Sequence, residues 1–413
     1  MYFKNAVISN SPLKPDEAFH LASHIVEGGS DEFMVKQFLS LPSSRINTTD
    51  SVTRATALHH SSSSFNADVT RLLVHHFSSV DCLDNDQRTP SFIAAISGHL
   101  KNLKILIERG ADLDHTVGYL DAETASNSDD PVSECKRKLC GYSLLHAAAQ
   151  EGNTDVVKFL IGQKLNIMRT AGVNNTALQL AATNGHLQTV QALKEAGGAL
   201  DGVSLHHAAA RGHNSVVLYL LREGIQDDCV HDIPSSMFSD EKDSRLKASK
   251  VHKCNNRHLY LRETALHAAI RAGHLSVIKS LLNENQSAIN CTNSAGRRPL
   301  HEAVQTNNYN TLEALVALGT NTSVQCDTKI ASSTQFKPSL LYKVDQDHCP
   351  CGFSPLHIAA MYGYHSTAEL LIKYGANVNA VDCSGSTPLH IASCHGFPSL
   401  VTLLGRYRCS KSE

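Results

Sequence analysis

Residues 354–396 read SPLHIAAMYGYHSTAELLIKYGANVNAVDCSGSTPLHIASCHG. One phrase occurs in it twice, as Ser354-Pro355-Leu356-His357-Ile358-Ala359-Ala360 and as Thr387-Pro388-Leu389-His390-Ile391-Ala392-Ser393. The two copies start 33 residues apart. A fixed period of this size is the mark of a stacked repeat, in which each short unit buries its apolar face against the next.

Each part of the phrase has a physical reading. Thr387 is placed to cap a helix start, and Pro388 follows where a missing N–H costs nothing. Leu389 and Ala392 share one helical face, and Ala lets a neighbouring helix approach closely. Gly396 suits the left-handed residue that ends a helix. The spacing of Ala368, Leu371 and Ile372 predicts a second helix over 367–374, ended by Gly375. Asp382-Cys383-Ser384-Gly385 carries the residue preferences of a type I turn. The unit is helix, tight turn, helix, protruding turn.

These residues resemble the ankyrin repeat, a β-turn and two helices at a period of about 33 residues. The resemblance implies an all-α solenoid of helix–turn–helix units with protruding β-turns. Worked outward, the phrase recurs at Thr56, Thr89, Ser143, Thr176, Val203, Thr264 and Arg298. Glu17 to Leu39 reads as a degenerate first copy, which makes about nine to ten repeats. Phe92 and Gln179 stand where the other copies carry His.

The intervals between copies predict the domain plan. Residues 1–16 are an irregular N-terminus, 17–405 the ankyrin-repeat array and 406–413 a C-terminal tail. Loop insertions fall at about 115–140, 225–262 and 320–351, each after a second helix and before the next capping residue. The interval ahead of Val203 is shortened. Array ends need a polar outer face. The early stop after Leu404 therefore points to a section of a longer protein or to a partner covering that end.

Composition sets limits. The chain has 413 residues, 42% hydrophobic and 18% charged, with a formal net charge of −2. That balance makes no case for nucleic acid as a partner. No stretch of about 18 apolar residues occurs, so no membrane span is expected within this chain. The start lacks the apolar core of a signal peptide. The 12 Cys are scattered, which reads as reduced intracellular thiols and a cytoplasmic or nuclear location.

The 24 His suggest metal at first sight. Eight sit in the phrase, at His20, His59, His146, His206, His267, His301, His357 and His390, and four more follow a Gly. The resemblance makes the phrase His a hydrogen-bonding tether between units. His348-Cys349-Pro350-Cys351 offers three Zn ligands where a structural site takes four, and it reads as loop thiols. The basic run over 242–262 has no interleaved aromatics and reads as a solvated loop. No phosphate-cradling loop, nucleophile elbow or kinase motif occurs. The reading is no enzyme, no cofactor, no metal and no catalytic residue.

The resemblance further implies a protein-protein interaction module or scaffold. It would bind a protein partner on its concave face and protruding turns, at positions the repeat leaves free. Before the inter-helix Gly these are Met361, Tyr362, Cys394, His395, Gln150 and Glu151, with Thr183 and Asn184 likewise. In the turns they are Val381, Cys383, Ser384, Ser386, Asn85, Asp86 and Arg88. Tyr362 is the expected anchor, since Tyr is common among binding hot spots. Two further readings are a cytosolic ankyrin section of a longer membrane channel and a substrate-presenting adaptor.

Overall fold

The structure is a computed structural model. It describes residues 49–50, 52–75, 79–117, 141–171, 175–226, 264–293, 296–326 and 352–409. The expected degenerate first copy, the basic run 242–262, the Cys349/Cys351 pair and most of the three insertions lie outside the described residues.

The chain divides into two compact units, 1–200 and 201–413. In the first, four helix pairs follow one another among the described residues. They are α1 Ala57–Ser62 with α2 Ala67–Val74, α3 Pro90–Ile96 with α4 Leu100–Glu108, α5 Leu144–Gln150 with α6 Thr154–Gly162, and α7 Ala177–Thr183 with α8 Leu187–Glu195. A short hairpin of β1 Thr170–Ala171 and β2 Asn175–Thr176 precedes α7, with Thr170 opposite Thr176. The first helices α1, α3, α5 and α7 pack in sequence order, and second helices pair as α2 on α4 and α6 on α8.

The second unit has five described pairs. They are α9 Gly202–Arg211 with α10 Asn214–Arg222, α11 Ala265–Ala272 with α12 Leu275–Glu284, α13 Pro299–Gln305 with α14 Tyr309–Ala317, α15 Pro355–Tyr362 with α16 His365–Lys373, and α17 Pro388–Cys394 with α18 Pro398–Cys409. The same two layers recur, with first helices stacked on first helices and second helices on second.

The sequence explains why these helices are short and regular. Pro occupies the first turn of α3, α13, α15 and α17. Thr89, Thr176 and Thr264 each accept a bond from the N–H three residues on, at 3.2–3.3 Å. Ala94, Ala95, Ala148, Ala181, Ala209, Ala269, Ala303, Ala359 and Ala392 are fully buried, which lets first helices lie close. Leu58, Leu103, Leu144, Leu160, Leu178 and Leu193 are also buried, and Phe92, standing where other copies carry His, packs with Val117, Tyr142, Ala147, Ala171 and Leu180. Close packing without voids is what a repeat gains from its neighbour.

Two local expectations need revision. Helix α16 begins at His365, two residues before the expected start. The helix of the Val203 copy begins at Gly202, because Asp201 accepts the bond from Ser204 N–H at 2.8 Å and caps it. Ser354 and Thr387 are the N-caps of α15 and α17, as expected, and their hydroxyls also lie 2.7 and 3.1 Å from the phrase His Nδ1.

The protruding turns, here called fingers, are closed by a repeated bond. The finger residue donates its N–H to the carbonyl just ahead of the next cap: Asp84 to Arg88, Asn293 to Arg297 and Asp382 to Ser386. Val117 to Tyr142 and Cys326 to Phe353 close in the same way across the longer intervals.

Candidate protein-binding face

The histidines decide whether this face holds chemistry. His59, His146, His267, His301 and His357 each place Nε2 3.0–3.1 Å from a carbonyl of the following finger. A carbonyl only accepts, so Nε2 carries the proton and Nδ1 is the acceptor. Nδ1 of His59, His301 and His357 takes the cap residue's own N–H at 3.0–3.1 Å. Burial drives the imidazoles toward the neutral form, lowering His146 to about 4 and His301 to about 3. Both ring nitrogens are spent on the fold, and none of these rings has a nitrogen left for metal or proton transfer. Gln179 fills the cap half of the role, its Oε1 accepting from Thr176 N–H at 2.9 Å.

A second tether runs at the inter-helix turn. His99 and His186 reach carbonyls of the preceding repeat, Ser63 at 2.8 Å and Gln150 at 3.0 Å. Asn153 does the same to Ala95 and Ile96 at 2.9 and 2.8 Å.

Cys82 is the one described thiol beside such a His, with Sγ 3.9 Å from His59 Nδ1 and 3.5 Å from Thr56 Oγ1. Burial raises the Cys82 thiol and lowers His59, opposite to what an activated thiolate needs. The pair is a packed contact. Cys82 and Cys394 are outside any disulfide, whereas Cys291 and Cys326 are disulfide-bonded. The reading of all cysteines as reduced thiols therefore fails for those two. Among the described residues no group of three or more His, Cys, Asp or Glu can hold a metal ion. No described helix is long and apolar enough to cross a membrane.

The expected contact positions fall in separate places. In the first unit, Arg88 is engaged by Asp84 at 2.8 Å and Asp86 at 3.1 Å, and Asn85 donates to Val52 O. Thr183 donates to Gln179 O at 2.7 Å, and Asn184 to Gln150 O at 3.1 Å. Gln150 meets Glu151 at 3.2 Å. These side chains shape the surface and are already engaged.

In the second unit, Ser384 donates to Asp382 Oδ1 at 2.6 Å, and that oxygen also accepts from Ser386 N–H at 2.8 Å. Val381 is half exposed, and Cys383 and Ser384 are exposed. The turn positions form an aromatic group. Tyr362 stacks on Tyr364 with centroids 5.5 Å apart, and His395 on Phe397 at 6.4 Å. The Phe397 ring lies against Gly363, where an added Cβ would sit 2.6 Å from it. Met361 and Tyr362 are half-buried beside this group, and Cys394 is exposed.

Sequence reading missed one cluster. Arg271, Arg297, Arg298 and Glu302 lie together on the first-helix face of α11 and α13. Arg271 holds the same repeat position as Met361 and Gln150, and Arg297 the same as Arg88. Their periodic places were the available signal.

An array of short helix pairs stapled by buried neutral side chains, with varied side chains along the turns, defines a repeat-type binding scaffold. The chain belongs to the ankyrin-repeat family. The family described as ankyrin repeats (3 copies) matches residues 19–117, 127–203, 145–231, 239–326 and 332–412. The chain is 30% identical over 36% of its length to the transient receptor potential cation channel subfamily A member 1 homolog of Caenorhabditis elegans. It is 26% identical over 54% of its length to ankyrin repeat and SAM domain-containing protein 6 of Danio rerio. It is 27% identical over 57% to the E3 ubiquitin-protein ligase XBAT32 of Arabidopsis thaliana. The matches span 14%, 28% and 37% of those relatives' own lengths. Among solved structures, the human ASB11 ankyrin repeat domain is similar at 22% identity and a TM-score of 0.43, covering 63% of this chain and 96% of that one.

Proposed function

We propose that the chain is a non-enzymatic protein-binding module. It binds a protein partner on the face shared by the first helices, inter-helix turns and fingers of each unit. The aromatic group at Tyr362, Tyr364, His395 and Phe397 supports this reading most strongly. Partly buried aromatic rings carry large contact area at low entropic cost, which is what binding hot spots use. Met361, Val381, Cys383, Cys394 and the turn residues of the first unit frame the contact. The neutral, fully engaged histidines support a role without catalysis or cofactor.

The test is capture of partners by purified chain. Tyr362→Ala combined with His395→Ala is expected to lose the specific set, whereas changes to Cys and His of the insertions keep it. Unchanged capture by the double variant refutes this face, and turnover abolished by one substitution refutes the non-enzymatic reading.

Similarity to a channel homolog and to a ubiquitin ligase favours a second reading. The array would then be the ankyrin section of a longer protein, such as a membrane channel or a substrate-presenting adaptor. Sequencing the complete transcript separates these. The location we propose is the cytoplasm or nucleus. The thiols of Cys82 and Cys394 agree with that, and the disulfide-bonded Cys291 and Cys326 pull against it.

A further inference from the structure

We propose that the aromatic turns between α15 and α16 and between α17 and α18 hold an arginine side chain of a protein partner, which stacks on the rings and donates to the Met361 carbonyl. The inference deepens the protein-binding reading and rests on it.

A comparison between repeats motivates it. In three repeats of the first unit, the residue after the inter-helix turn Gly is a donor. His99, Asn153 and His186 hold carbonyls of the preceding repeat at 2.8–3.0 Å. Those carbonyls belong to Ser63, Ala95, Ile96 and Gln150, at the C-terminal ends of first helices, where backbone oxygens lack partners within the helix. Gln150 O also takes Asn184 Nδ2 at 3.1 Å, so two side chains cover it.

In the last two repeats the donor place is taken by Tyr364 and Phe397. The Phe397 ring lies over Gly363 as the His186 ring lies over Gly152. The place of the ring is kept, and its donor nitrogen is gone. Met361 holds the repeat position of Gln150, two residues before the Gly. The helix closes with Gly363 N–H on Ala359 O, and Met361 O takes neither a backbone N–H nor a side-chain donor among the described residues.

The surroundings say what kind of donor fits. A carbonyl at the end of a helix lies at the negative end of the helix dipole. Tyr362 and Tyr364 stack with 20° between their planes, and His395 and Phe397 with 19°. The face of an aromatic ring is its negative side and attracts a cation. Ring faces beside an uncovered carbonyl therefore select a cation that also donates hydrogen bonds. A guanidinium is flat, stacks on rings and carries five N–H donors, whereas an ammonium is a compact, strongly hydrated charge. An apolar segment would use the rings and bury the Met361 carbonyl without a partner, at a cost in free energy. Met361, Tyr362, Tyr364, His395 and Phe397 are half-buried and Cys394 is exposed, so the group is open to solvent.

Fluorescence anisotropy of the full chain tests this with a labelled peptide of alternating Gly and Arg, against the same peptide carrying citrulline in place of Arg. Citrulline keeps the shape of the side chain and removes its charge. Saturable binding of the arginine peptide is expected, with the citrulline peptide about tenfold weaker. Phe397→His returns the first-unit donor to the Met361 carbonyl and should weaken the arginine peptide about tenfold. Tyr364→Asn removes a stacked ring, puts at the start of α16 the residue type that starts α6, and should weaken it similarly. If either variant fails to fold, the other decides. No saturable binding, citrulline peptide bound as tightly, or folded variants that bind as well as the parent overturns the proposal. Partners lost by Tyr362→Ala with His395→Ala but kept by Phe397→His would leave the protein-binding reading standing and sink this one.

Discussion

At the residue scale, the phrase histidines make the fold sensitive to acid. Burial holds His146 at about 4 and His301 at about 3, below the ordinary 6.5. Above pH 6.5 both states are neutral and the tethers act fully. As the pH falls from 6.5 toward 4, the unfolded chain takes up protons that the folded one refuses. Each such His then removes about 1.4 kcal/mol of stability per pH unit. Gln179 shows that Gln keeps the cap bond, so His301→Gln should cost about 1 kcal/mol at pH 7.5, through the lost tether to Phe353 O. The same variant should flatten the dependence of the urea midpoint on pH. An unchanged slope would show that His301 is not a buried neutral post.

Backbone conformation adds a second residue-level expectation. Lys164 follows α6 at φ 62, where Gly follows α4, α8, α10, α14 and α16, as Gly375 does at φ 89. A side chain in that region is strained by about 1–2 kcal/mol. Lys164→Gly should therefore raise the melting temperature despite the added chain entropy of glycine. A fall would show that the lysine makes contacts that outweigh the strain.

At the element scale, the caps and turns were readable because their chemistry is local. Thr89 and Pro90 set the start of α3, and the Asp382 to Gly385 turn forms with Gly385 N–H on Asp382 O at 3.0 Å. Thr89→Ala should cost about 1 kcal/mol in a denaturation series. Gly363→Ala should cost more, because φ 72 is strained for Ala and the Phe397 ring blocks the new Cβ. A thermal midpoint within error of the parent would deny that contact. The start of α9 was misread because Asp201, two residues ahead of Val203, outcompeted the phrase as a cap. Side-chain function at the turns was only half legible. Periodicity marks Arg88, Asn184 and Arg271 as variable places. It does not say that Asp84 engages Arg88 or that Asn184 bonds to Gln150 O. The Asn184 bond depends on a residue 34 positions away in sequence, and the Arg88 pair on a finger conformation that spacing alone does not fix.

At the scale of the whole molecule, the repeat explains why so much sequence carries so little chemistry. Apolar and small positions are spent on stacking, and histidines on tethering, which is why the proposed function is placed on the turns and first-helix faces. The central claim is that the inner face binds a protein and the outer helices do not. Quantitative capture with three forms of the chain tests it most directly: the parent, the inner-face variant Tyr362→Ala with His395→Ala, and the outer-helix variant Glu369→Ala with Lys373→Ala. The account predicts that the inner-face variant loses the specific partners while the outer-helix variant retains them at parental levels. Loss with the outer-helix variant and retention with the inner-face variant would contradict it.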